Sequence, residues 1–226
     1  MFTKKVRVNY LNILSEKDAK KMIQTIPNNF PSYFNSIPKT YFHPTLKKSL
    51  PFLRTIKSCP GFINLYKRSI LITSPYDLYA EFDNEKILFQ EVGRTKIKPI
   101  HFHENYQFLS YIDNKDYKFI IKIDMPFSLD SNVSFLLNDS SYHFNKFKVL
   151  PGILNKSYDG DSVNFFIPIE KNTKELHIRQ RDPLFLLTPM CEDKINLSFK
   201  KVKNFNVDKN KLTFSSLKYY VMDKLI

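Results

Sequence analysis

Beyond Cys59, apolar and polar side chains alternate in short runs separated by turn-forming residues. A period of two places successive side chains on opposite faces, so each run predicts a strand with one buried face. The runs are SILITS (69–74), DLYAEFD (77–83), KILFQEV (86–92), YKFIIKIDM (117–125), VSFLL (133–137), FKVLPGIL (147–154), SVNFFIPIE (162–170), ELHIRQ (175–180), PLFLLTPM (183–190) and NLSFKKV (196–202). Asp83-Asn84, Asn114, Asp130 and Asn138-Asp139 supply turn chemistry between them. Many short strands divided in this way predict a mainly β fold, a sandwich or barrel.

The segment before Cys59 reads differently. SEKDAKKMIQTI predicts a short helix with Ser15 as N-cap and Asp18 three residues on. Ala19, Met22, Ile23 and Ile26 share one face until Pro27 stops it. Pro27, Pro31, Pro38, Pro44 and Pro51 follow at a spacing that regular structure does not survive, which predicts an extended arm carrying exposed aromatics. The chain thus divides into a helix and Pro-rich arm (1–57), a β-rich core domain (58–203) and a tail (204–226). In the tail, KLTFSSLKYYVMDKLI reads as a strand followed by a helix.

Composition adds a core and a charge. Hydrophobic residues make up 42% of the chain and aromatic residues 15%, enough apolar material to exclude the disordered class. Tryptophan is absent while Lys, Asn, Ile and Phe abound, a bias that points to an AT-rich genome. Lys and Arg total 35 against 22 Asp and Glu, for a net charge of +13, which favours contact with polyanions. The densest runs are Lys4-Lys5, Lys20-Lys21, Lys47-Lys48 and Lys200-Lys201-x-Lys203, so the basic surface reads as diffuse. Cys59 and Cys191 form no CxxC pair, which fits a reducing compartment and no zinc knuckle. Neither a signal-peptide core nor a run of roughly 18 apolar residues is present, so no membrane partner is expected.

Few residues offer chemistry. His101 and His103 in IHFHENYQF sit two apart, so on a strand both imidazoles leave one face, as a metal chelate requires. No third ligand follows at motif spacing; they are weak metal candidates, for a metal-dependent oxygenase at most, and no cofactor is expected. There is no GxSxG and no Cys in a Cys-His context, and four scattered glycines build no phosphate loop. In SCPGFINLYKRSILITSPYDL (58–78), Pro60-Gly61 reads as a turn and Phe62, Leu65 and Tyr66 as a short helical face covering the end of a barrel. Tyr66, Lys67 and Arg68 together would also suit a phosphate chain.

Two of the four glycines stand in PGILNKSYDGDSVNFF (151–166). FKVLPGIL ends a strand, NKSYDGD turns and SVNFFIPIE returns, so Gly152 and Gly160 bracket a β-turn-β unit. The run Gly152-Ile153-Leu154-Asn155-Lys156-Ser157-Tyr158-Asp159-Gly160-Asp161 resembles, without a gap, the G-V-I-D-x-x-Y-R-G-E motif with which trimeric dUTPases hold their substrate sugar. HIRQRDPLFLLTPM is similar to the following I-x-x-G-D-R-I-A-Q-L strand of that family. The resemblance covers roughly 147–190 and implies a β-clip fold. It also implies a ligand set of Asn155, Tyr158 and Asp161, with Tyr158 packing on a sugar. The family's catalytic acid is replaced by Asn155, whose amide takes no proton at neutral pH, and Asp159 stands where the family has arginine. FSLDSNVSFLLNDSS lacks the glycine of the phosphate-cradling motif.

From Cys59 to Met190 the chain also resembles phage and large-virus proteins that share a CPGF…YK opening, a PGVLD…Y turn and a closing GTPL…P strand. These likenesses imply a non-enzymatic viral protein of the virion or host cytoplasm, acting by self-association or by binding other viral proteins. Virion structure or decoration is the expected role. A divergent nucleotide-binding protein or hydrolase related to dUTPase is the alternative.

Overall fold

TKKVRVNYL, near the start of the chain, alternates cations with apolar residues, and it forms a strand that buries Val6, Val8 and Tyr10. The computed structural model describes residues 3–25, 28–42, 52–82, 87–92, 100–103, 117–143, 147–155 and 162–205. In chain order the elements begin β1 (Thr3–Leu11), α1 (Glu16–Met22), β2 (Ile23–Gln24), β3 (Thr40–Phe42), β4 (Phe52–Arg54) and α2 (Pro60–Arg68). Next come β5 (Ile70–Thr73), β6 (Asp77–Phe82), β7 (Ile87–Val92), β8 (Ile100–His103), β9 (Tyr117–Asp124) and β10 (Phe127–Asp130). The series ends with β11 (Phe135–Asp139), β12 (Gly152–Leu154), β13 (Asn164–Glu170), β14 (Glu175–Ile178), β15 (Pro183–Pro189) and β16 (Lys194–Val202).

The fold is mainly β, and among the described residues no sheet closes into a barrel. β1 lies between β10, antiparallel, and β16, parallel, so the first strand pairs with the last described one. A second sheet runs β12-β11-β15-β5-β2, and two three-stranded sheets run β13-β9-β8 and β14-β6-β7. One hydrophobic cluster draws on all four, from Val8 and Phe127 through Ile72 and Phe185 to Ile121, Phe165 and Leu78. Val6, Val8, Tyr10, Leu14, Ala19, Met22 and Ile23 belong to that cluster. The helix-and-arm reading of 1–57 therefore missed a strand, because the lysines and arginine of β1 dilute its apolar content while leaving its period intact.

The strands expected at 69–74, 77–83, 86–92, 117–125, 162–170, 175–180, 183–190 and 196–202 all form, with ends shifted by a few residues. The run at 133–137 lies instead at 135–139, through Asn138-Asp139, where a turn was expected. Asp139 Oδ1 accepts the Val149 N–H at 3.3 Å, so its side chain braces a neighbouring segment while its backbone stays extended. Of 147–154 the strand keeps Gly152–Leu154, because Pro151, just before it, has no N–H for a ladder. Asp130 ends β10 and holds Arg7 across the sheet at 3.1 Å. The turns at Asp83-Asn84 and Asn114 and the tail 206–226 lie outside the described residues.

α1 begins as expected: Ser15 Oγ accepts the Asp18 N–H at 3.1 Å. It stops at Met22, well before Pro27, because Ile23 and Gln24 pair with Ile72 and Leu71 of β5. A tertiary ladder overrides the helical period there. At α2 the expected turn is a helix start, since Pro60 occupies the first helical position, where a missing N–H costs nothing. Phe62 and Tyr66, one turn apart, face inward, and their rings pack with Phe30 and Phe34 of the arm. The arm thus lies on its own domain, with a 3-10 turn at Ser32–Ser36 and a β3-β4 hairpin. No described helix is long and apolar enough to cross a membrane.

Candidate functional site

Of the residues in the dUTPase-like run, Asn155 is described, and Tyr158 and Asp161 lie outside the described residues. Asn155 is exposed just past the end of β12. It borders a crevice of about 10 Å³ with Leu129, Ser131, Val133 and Phe135. The expected β-turn-β unit is not a hairpin: β12 pairs with β11, whereas β13 pairs with β9 in another sheet. Gly152 has open space where a Cβ would stand and no left-handed backbone, so nothing local requires glycine there. Gly160 lies outside the described residues.

His101 is exposed on β8 and its Nε2 lies 2.9 Å from Asp124 Oδ2. Lys122 Nζ stands 3.2 Å from the other oxygen of that carboxylate. Asp124 is thereby engaged by two basic groups, a poor setting for a divalent cation. His103 continues the strand, and its side chain is outside the described residues. Among the described residues no three His, Cys, Asp or Glu side chains converge.

Among the described residues a larger concavity lies elsewhere. A groove of about 1010 Å³ lies along β16, between it and the ends of α1 and α2. KINLSFKKV explains one wall: its alternation turns Ile195, Leu197 and Phe199 toward the core and leaves Lys194, Asn196, Ser198 and Lys200 exposed. Ile23, Ile70 and Pro189 continue the apolar floor, Lys20, Asn64, Lys67 and Arg68 form the opposite rim, and Glu192 and Asp193 place two carboxylates just before β16. A second depression of about 770 Å³ adjoins it through Lys20, Ile23 and Thr25, and adds Lys17 and Lys21.

Several rim cations are already occupied. Lys20 pairs with Glu16 at 2.5 Å and stands 5.8 Å over the Phe199 ring, Lys4 reaches Asp193 at 3.8 Å, and Arg68 donates to the Cys191 carbonyl. Among the described residues no ion pair neutralises Lys17, Lys21, Lys67 or Lys194. Lys4-Lys5 and Lys200-Lys201, far apart in sequence, lie on one sheet at opposite ends of the β1-β16 ladder, and Lys20 stands over Phe199 of the same strand pair. The parallel pairing of β1 with β16 is the missing signal, and no local pattern encodes it.

α2 is anchored from below by Asn29, whose fully buried side chain donates Nδ2 to the carbonyls of Tyr66 at 2.5 Å and Ser69 at 2.7 Å. These are carbonyls that a helix end leaves without partners. Tyr66 Oη and His143 Nε2 are buried in the same cluster without hydrogen-bond partners among the described residues. Burial pushes the Tyr66 hydroxyl far above the ordinary tyrosine range, helped by Tyr33, Tyr142 and Asp139. The cluster acts as a footing that fixes where α2 presents Asn64, Lys67 and Arg68.

Compared with protein-family models, with curated proteins and with solved structures, the chain matches none of them.

Proposed function

We propose that the chain is a non-enzymatic binding protein that works by joining a larger assembly, and that the β16 groove is its contact face. One observation carries this reading: β16 has β1 on one edge and no strand on the other among the described residues, above a groove with an apolar floor and a rim on which Lys20, Lys67, Arg68 and Lys194 outnumber Glu192 and Asp193. An open strand edge is a template for backbone pairing with another chain.

The viral setting belongs to the same proposal. It rests on the sequence likeness to phage and large-virus proteins and on the AT-rich composition, with a virion structural or decoration role as its natural form. A β-clip-type scaffold is likewise proposed from the run at 152–161, whose catalytic acid is Asn155.

Mass spectrometry of purified virions, with size exclusion and light scattering of the isolated chain, tests the reading. Presence in particles or concentration-dependent association is expected. A strictly monomeric chain absent from particles contradicts it.

A further inference from the structure

The binding reading leaves the partner's chemistry open, and the two faces of β16 constrain it. A strand added to the free edge continues the sheet, so its side chains alternate as those of β16 do. Inward residues would meet Ile195, Leu197 and Phe199, with Ile23 and Ile70 beyond. Outward residues would stand beside Lys194 and Lys200, on a sheet face that also carries Lys5 and the Arg7–Asp130 ion pair. Opposite charges directly across a pair of strands stabilise it and like charges oppose it.

From this juxtaposition we infer that the groove takes an extended acidic peptide segment of a partner protein, apolar and acidic residues alternating, added as a strand to β16. A nucleic acid would satisfy the lysines, but it has no use for the apolar inward row or for the backbone edge. The inference rests on the binding reading and adds the class of partner to it.

The test uses the full chain and three labelled probes: an alternating Glu-Val peptide, an alternating Lys-Val peptide and a single-stranded oligonucleotide. Binding is read by fluorescence anisotropy, and its place by hydrogen exchange of the amides of 194–202. The Glu-Val peptide should bind, protect those amides, and lose at least about tenfold in affinity when Lys194→Glu and Lys200→Glu are combined. Both lysines are exposed, so the variant should keep the wild-type melting temperature, and Lys194→Arg with Lys200→Arg should restore binding. Equal binding of the Lys-Val peptide, or oligonucleotide binding without Glu-Val binding, overturns the inference. So does Glu-Val binding that leaves 194–202 unprotected. If no peptide binds while the chain is present in virions, the inference fails and the assembly reading stands. If the chain is also monomeric and absent from virions, both fail.

Discussion

Val8 of β1 lies beside Phe199 of β16 in a parallel ladder, and the Phe199 ring in turn carries the Lys20 ammonium of α1 at 5.8 Å. The first and last described strands therefore form one wall of the core, and of the two β16 lines the groove. A parallel pair cannot be joined by a tight turn, so this wall forms only when the intervening strands have folded around it.

Val8 is fully buried, and Val8→Ala removes packing at the centre of that wall. The cost should be about 2 kcal/mol, from two lost methyl groups and the space they leave. Urea unfolding of the full chain measures it, with a lower midpoint and an unchanged slope as the expected result.

Asn29→Ala should cost at least about 2 kcal/mol, since it removes two buried hydrogen bonds and strands the Tyr66 and Ser69 carbonyls. Hydrogen exchange should show the C-terminal turn of α2 opening before the rest of the fold. Uniform loss of protection would mean that Asn29 supports the core at large.

Burial holds the His143 imidazole below the ordinary histidine range, partly opposed by its hydrogen bond to the Asn29 backbone. On acidification through about pH 6.5 the unfolded chain takes up a proton that the folded chain resists. Stability should thus fall as the pH drops below that value, and this histidine contributes no pH dependence well above it. Thermal melts from pH 8 to pH 5 should slope less for His143→Gln than for the wild type.

Gly152→Ala should change stability by no more than about 0.5 kcal/mol, because a Cβ there meets open space. A strongly destabilised variant would show that the resemblance to a substrate-holding turn reflects a real backbone constraint at Gly152.

The strands were legible wherever a period of two was written in apolar residues, as in NFFIPIE of β13 and DLYAEF of β6. β1 escaped because its polar positions are cationic, and α1 was read too long because Ile23 fits a helical face as well as it fits β5. What the sequence could not show was which strands meet. PGILNKSYDGDSVNFF looked like one hairpin, yet its strands serve two sheets, and Lys4-Lys5 and Lys200-Lys201, far apart in sequence, lie on one sheet because β1 pairs with β16. Of the expected site residues, Asn155 stands exposed past the end of β12 and His101 lies 2.9 Å from Asp124, while Tyr158 and Asp161 lie outside the described residues.

The central claim is that function lies at the β16 edge. Hydrogen exchange of the full chain tests it most directly, recorded alone, with the alternating Glu-Val peptide, and with a deoxynucleotide panel plus magnesium. The account predicts protection of 194–202 by the peptide and no change around 152–161 with any nucleotide. Protection of 152–161 by a deoxynucleotide, with 194–202 indifferent to the peptide, would contradict it.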